Sequence, residues 1–227
     1  GAQRLGYAEA DPTADIEGID ACRKACILSD LLFGKHTDPN KVFAQGITRI
    51  TAADVEAAGL VGCNIKLIGQ ARRMDDGKIL CMVTPALLKK EHCMAEVNDV
   101  FNAVMVHGNG VGDMMFYGRG AGDLPTASAV LSDVIEIVRG GGRNAGIISW
   151  ADEGNAHLAN RRDYAISALV RIQGLDFAAV ERKFPGCERI WERDGETAAL
   201  VHSIKEGELE DALQALNAAP YIRVFDC

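Results

Sequence analysis

The chain has 227 residues, enough for one large domain or for a medium and a small one. Its 48% hydrophobic and 25% charged composition is that of an ordinary globular protein, and a formal net charge of -8 argues against nucleic-acid and anionic-membrane partners. No apolar run reaches the ~18 residues of a membrane span and no secretory signal opens the chain, so a cytoplasmic protein is expected, its seven cysteines reduced.

The opening is acidic. Pro12 has no N–H and cannot sit inside a helix, so Glu9, Asp11 and Asp15 form an irregular lead-in. A helix over 16–33 follows, with Thr13 or Asp15 as its cap and Gly34 as its stop. Asp20 and Lys24 are four residues apart and share one face of it. Such a pair is commonly a solvated surface contact. Here it stands near Glu9 and Asp15, with Gly18 between, and a lysine among carboxylates can also serve as a positioned acid.

Further on, 46–50 alternates as a short strand, and Thr51 with Asp54 opens a helix over 52–58 that Gly59 ends. Residues 64–74 and 78–85 read as strands joined by the hairpin turn Asp75-Asp76-Gly77. A short helix at 94–97 and strands at 101–107 and 114–117 follow. Gly118, Gly120 and Gly122 then lead into a helix over 125–139, with Pro125 at its first position and Asp123 or Leu124 as cap. Glycines before a helix can be a tight turn or an anion cradle, and the G-x-G-x-G spacing is not a dinucleotide fingerprint. Cys22, Cys26 and the pair His92-Cys93 form no metal pattern, and no metal is expected.

Gly140-Gly141-Gly142-Arg143 marks a shift in composition. Beyond it the order is strand 163–172, helix 175–184, strands 187–193 and 196–204 about an Asp194-Gly195 turn, helix 208–218 and strand 221–225. That is a split βαβ pattern. The expected fold class is therefore α+β. A mixed, mostly antiparallel sheet with helices on one face occupies 1–142, 143–160 is a linker, and a small βαββαβ domain occupies 161–227.

Two stretches resemble one family. G-Y-A-E-A-D-P-T-A-D-I-E-G-I-D-A-C-R-K, ending at Lys24, is similar to the segment that opens the catalytic region of homoserine dehydrogenases. Gly118–Ser128, G-R-G-A-G-D-L-P-T-A-S, resembles that family's G-x-G-A-G-x-x-P-T-A-S run, and the likeness covers roughly 1–140. The resemblance implies NAD(P)-dependent interconversion of L-aspartate 4-semialdehyde and L-homoserine. Under it Lys24 is the acid/base residue, and Asp20 orients it or holds substrate. Glu9 receives the substrate ammonium with Asp15 assisting, and Gly120, Ala121 and Gly122 border the nicotinamide. It also implies a homodimer formed through the sheet, and a chain that is the C-terminal part of a longer enzyme, neither binding NAD(P) tightly nor turning over alone. The last 65 or so residues look like an ACT domain, a regulatory module. Threonine, the family's usual effector, is the candidate ligand. The usual D-x-P-G turn is replaced by Gln173-Gly174-Leu175-Asp176, which leaves a structural cap as the equal alternative.

Overall fold

The structure is a computed structural model and describes residues 11–140, 154–218 and 220–225. Its contacts divide the chain into two compact units, one of Thr13–Lys90 with Trp150–Cys227 and one of Gly1–Pro12 with Glu91–Ser149. The division expected from sequence, 1–142 against 161–227, is thus not the grouping the packing makes. The physical reason is the last strand of the chain.

In the larger unit α1 (Thr13–Ile16) and α2 (Ile19–Phe33) precede β1 (Phe43–Ala44) and α3 (Ala52–Leu60). The hairpin of β2 (Cys63–Arg73) and β3 (Ile79–Lys89) turns at Asp75–Gly77. Then come β6 (Ala165–Gln173), α5 (Phe177–Lys183), β7 (Glu188–Arg193), β8 (Glu196–Lys205), α6 (Glu206–Ala215) and β9 (Ile222–Val224). β9 pairs parallel with β3 on one side and antiparallel with β6 on the other. The strands therefore form one mixed, mostly antiparallel seven-stranded sheet in the order β1-β3-β9-β6-β8-β7, with β2 also on β3. Within it, β9-β6-β8-β7 is the split βαβ arrangement.

Side chains alternate across the sheet, so residue parity assigns its two faces. Cys81, Val83 and Leu87 of β3 meet α2 and α3, and Leu169 and Ile222 continue that face. Ala168, Val170 and Ile172 point the other way, onto Val180 of α5, Phe184 at its end, and Leu209 and Leu213 of α6. The helices expected on one face hold to it at β3. Because the two sheets have merged, α5 and α6 cover the opposite face.

β3 is buried from Ile79 to Leu88, as befits a strand covered on both sides. It runs through Pro85, where the sequence suggested an end. The Val83 and Leu87 carbonyls accept from Gln45 N–H at 2.8 Å and from Phe225 N–H at 2.9 Å. The odd residues thus turn their backbone groups to that edge, and Pro85, with no N–H, falls in the gap between β1 and β9. The strand expected at 46–50 is a bend and turn, the ladder partner of β3 being Phe43–Ala44 instead.

The smaller unit holds a 3-10 turn at Cys93–Glu96, the antiparallel hairpin of β4 (Phe101–Gly108) and β5 (Gly112–Arg119), and α4 (Asp123–Arg139). Phe101 and Tyr117 stack across the hairpin at 4.8 Å. Among the described residues no helix is long and apolar enough to cross a membrane.

Candidate functional site

The single helix expected over 16–33 is two. Gly18 is left-handed at φ 76° and separates α1 from α2. Gly18 also stands at the N-cap of α2, the place expected of Thr13 or Asp15, and supplies no side-chain cap. The turn is pressed onto the chain at Gly46, where a Cβ would lie 2.1 Å from Ile16 O and 2.4 Å from Glu17 Cα. Ile47 N–H donates to Ile16 O at 2.7 Å beside it.

α2 is seated by small side chains. Cys22, Ala25 and Cys26 are buried against Cys81 and Val83, and a Cβ at Gly69 would meet the Ala25 methyl at 3.3 Å. Burial, reinforced by Cys26, pushes the Cys22 thiol up to about 11. The Cys26 thiol is raised by its contact with Cys81, then by burial, so both are packing groups rather than nucleophiles. With that face turned inward, Asp20 and Lys24 project outward. Lys24 Nζ lies 2.6 Å from Asp20 Oδ2, with 64% and 43% of the two side chains exposed. The structure therefore pairs the expected acid/base residue, Lys24, with Asp20, expected to orient it or hold substrate, on a helix packed against the sheet.

Asp15 is exposed on α1, and its carbonyl accepts from Gly18 N–H at 3.2 Å. Glu9 lies outside the described residues. Gly120, Ala121 and Gly122 belong to the smaller unit. A Cβ at Gly120 would meet Asn102 Nδ2 at 1.9 Å, and Gly122, at φ 118°, is the N-cap of α4 without a side-chain cap. The cap is thus one residue before Asp123 and two before Leu124, and Pro125 is third in the helix, still in the first turn where a missing N–H leaves no ladder bond broken.

Two buried polar clusters escaped the sequence reading. Arg171 Nε donates to Asp54 Oδ1 at 2.6 Å, with Nη1 on Glu196 at 2.8 Å and Nη2 on Thr51 Oγ1 at 2.9 Å. Around α6, Glu206 is 1% exposed and takes Arg161 Nη1 at 2.6 Å together with the Tyr221 hydroxyl and Arg223 Nη2. Their signal was an arginine inside an apolar strand, A-L-V-R-I and Y-I-R-V-F, where a buried charge requires a partner.

Residues 1–135 match the family model described as homoserine dehydrogenase. The homoserine dehydrogenase of Corynebacterium glutamicum is 37% identical over 99% of this chain and 54% of its own length. That of Pseudomonas aeruginosa is 49% identical over 61% of this chain and 32% of its own. Among solved structures, a homoserine dehydrogenase from Thiobacillus denitrificans superposes with a TM-score of 0.82 at 31% identity, over 99% of this chain and 57% of that one. The S. aureus enzyme at pH 7.0 gives 0.79 at 30% identity, over 100% and 58%. The chain spans about half the length of the C. glutamicum relative. By the family model and by identity along nearly its whole length, the chain belongs to the homoserine dehydrogenase family.

Proposed function

We propose that this chain carries the substrate side of an NAD(P)-dependent oxidoreductase that interconverts L-aspartate 4-semialdehyde and L-homoserine in threonine and methionine biosynthesis, as a cytoplasmic homodimer. The observation that carries the reading is the 2.6 Å Lys24–Asp20 pair on a helix whose other face is locked onto β2 and β3. When bound, the nicotinamide supplies or accepts the hydride. The chain's own task is to handle the charge that this leaves on the substrate oxygen. The Lys24 ammonium donates a proton to the nascent alkoxide, the neutral Lys24 amine takes one from the homoserine hydroxyl in reverse, and Asp20 orients Lys24 or holds the substrate. Glu9 and Asp15 bind the substrate ammonium. Gly120, Ala121 and Gly122 border the cofactor. This assignment suits their backbone, since a side chain at Gly120 would have to displace Asn102 and Gly122 leaves the start of α4 without a side-chain cap.

In a full-length protein carrying this chain, Lys24→Ala lowers kcat at least ~100-fold, the low end for a positioned proton donor. An unchanged kcat removes Lys24 from the mechanism. Glu9→Ala raises KM for homoserine. The βαββαβ segment acts as an ACT-like regulatory module, supported by its strand order β9-β6-β8-β7. Its first turn closes through Gly174 at φ 76° with Gly174 N–H on Gly195 O at 2.7 Å, and threonine is the effector to titrate.

A further inference from the structure

We infer that the cavity on the face of β3 opposite α2 is a binding site for a small carboxylate. It measures about 50 Å³, room for a few water-sized groups. Met82, Thr84 and Ala86 of β3 form one wall, and Arg72, Arg161, Arg223 and Glu206 stand around it. Glu206 Oε1 accepts from Arg161 Nη1, Arg223 Nη2 and the Tyr221 hydroxyl, so one oxygen is shared among three donors. Arg161 is also paired with Glu210 Oε1 at 2.7 Å, so Arg223 and the rim cation Arg72 are the charges that a ligand would match.

Arg223 is the group left short. Its side chain is 5% exposed, and its Nε is buried with no hydrogen-bond partner among the described residues. A buried donor without an acceptor costs free energy, and a buried cation without a full counter-charge costs more. Burial, together with the nearby Arg161 charge, accordingly lowers Arg223 to about 9. A planar carboxylate matches the guanidinium fork, and Met82 and Ala86 offer an apolar wall to a short alkyl tail. The size admits acetate or the head of a slightly longer acid. The site is distinct from the Lys24–Asp20 pair, since α2 packs on the other face of β3. A bound carboxylate would link β3, β9 and the start of β6, the strands through which the two halves of the sheet are joined.

The test is calorimetric titration of sodium acetate into the 227-residue chain, at constant ionic strength held with sodium chloride. The expected result is saturable one-to-one binding, not competed by chloride. Arg223→Met is expected to abolish it. Arg72→Glu, on the exposed rim and safe for folding, is expected to weaken it at least about tenfold by like-charge repulsion. Absence of saturable acetate binding, equal competition by chloride, or undiminished affinity in Arg72→Glu would each overturn the assignment.

Discussion

Arg171 Nε and Asp54 Oδ1 meet at 2.6 Å between β6 and the first turn of α3, residues 117 positions apart in the chain. Asp54 is also the third residue of α3 and closes its capping box, accepting from Thr51 N–H at 2.7 Å. One carboxylate thus finishes a helix end and neutralises an arginine that is buried in the sheet. Removing either partner leaves a buried charge behind. Arg171→Met is therefore expected to destabilise the chain by about 3–5 kcal/mol in urea unfolding. The double variant Arg171→Met with Asp54→Leu is expected to regain much of that loss, less about 1 kcal/mol for the missing cap. Additive losses in the double variant would show that the pair is not coupled.

The three residues of β9 hold the merged sheet together. Ile222 is 2% exposed and packs with Leu87 of β3 and Leu169 of β6. Ile222→Ala is expected to cost about 2–5 kcal/mol. Its signature is where protection is lost: amide exchange should accelerate in β3 and in β6 together, because both borrow the same strand. Faster exchange in β6 alone would mean that the βαββαβ segment stands as its own cooperative unit.

That junction was the part least legible from the sequence. Local chemistry read well. Asp75-Asp76-Gly77 and Asp194-Gly195 turn the expected hairpins, and the Thr51/Asp54 box opens α3. The βαββαβ order appears as read, and so does the Asp20–Lys24 face, since i, i+4 proximity is a property of the helix itself. Strand partners are not local. Nothing in Tyr221-Ile-Arg-Val says that β3, more than a hundred residues earlier, offers it an edge. A hint existed in the run of 79–88, apolar but for Thr84, the pattern of a strand covered on both faces, but Pro85 suggests its end. The break at Gly18 was equally hidden: its left-handed turn divides the helix expected over 16–33, and the pattern is apolar on both sides of it.

The turn of the first hairpin carries a titratable lock. Asp76 Oδ2 accepts from the Tyr164 hydroxyl at 2.8 Å, and Asp76 Oδ1 accepts from Lys78 N–H at 3.0 Å. The Lys78 N–H, then the Tyr164 hydroxyl, hold the Asp76 carboxyl below its ordinary value of 3.8. Since the folded value is the lower one, this contribution to stability is complete above 3.8 and is lost as pH falls through the folded value. Followed by carboxyl NMR, Asp76 should titrate below 3.8 in the native chain. In Tyr164→Phe its midpoint should move upward yet stay below 3.8, because the Lys78 N–H remains. A midpoint indifferent to Tyr164→Phe would show that the hydroxyl does not hold the carboxylate in solution.

The placement of Asp20 and Lys24 depends on Gly46. Here φ is not the constraint. The obstacle is backbone, with Ile16 O at 2.1 Å and Glu17 C at 2.8 Å from where a methyl would sit, and neither atom belongs to a side chain that could swing aside. Gly46→Ala must push the α1–α2 turn outward and stretch the 2.7 Å bond from Ile47 N–H to Ile16 O. The expected cost is about 1–3 kcal/mol, the range for overpacking a close contact. Gly59→Ala is the matched control, lying within α3 with nothing within 4 Å of the added methyl, and should stabilise by roughly 0.5–1 kcal/mol. If the turn aims α2, the two variants should also part in catalysis when carried in a full-length protein. Gly46→Ala should raise KM for homoserine and lower kcat, as a misplacement near 1 Å can cost about 100-fold, while Gly59→Ala leaves both unchanged. A Gly46→Ala variant with native stability and native kinetics would show that the turn yields without moving the helix, and that the position of Lys24 is set by its seat on Gly69 alone.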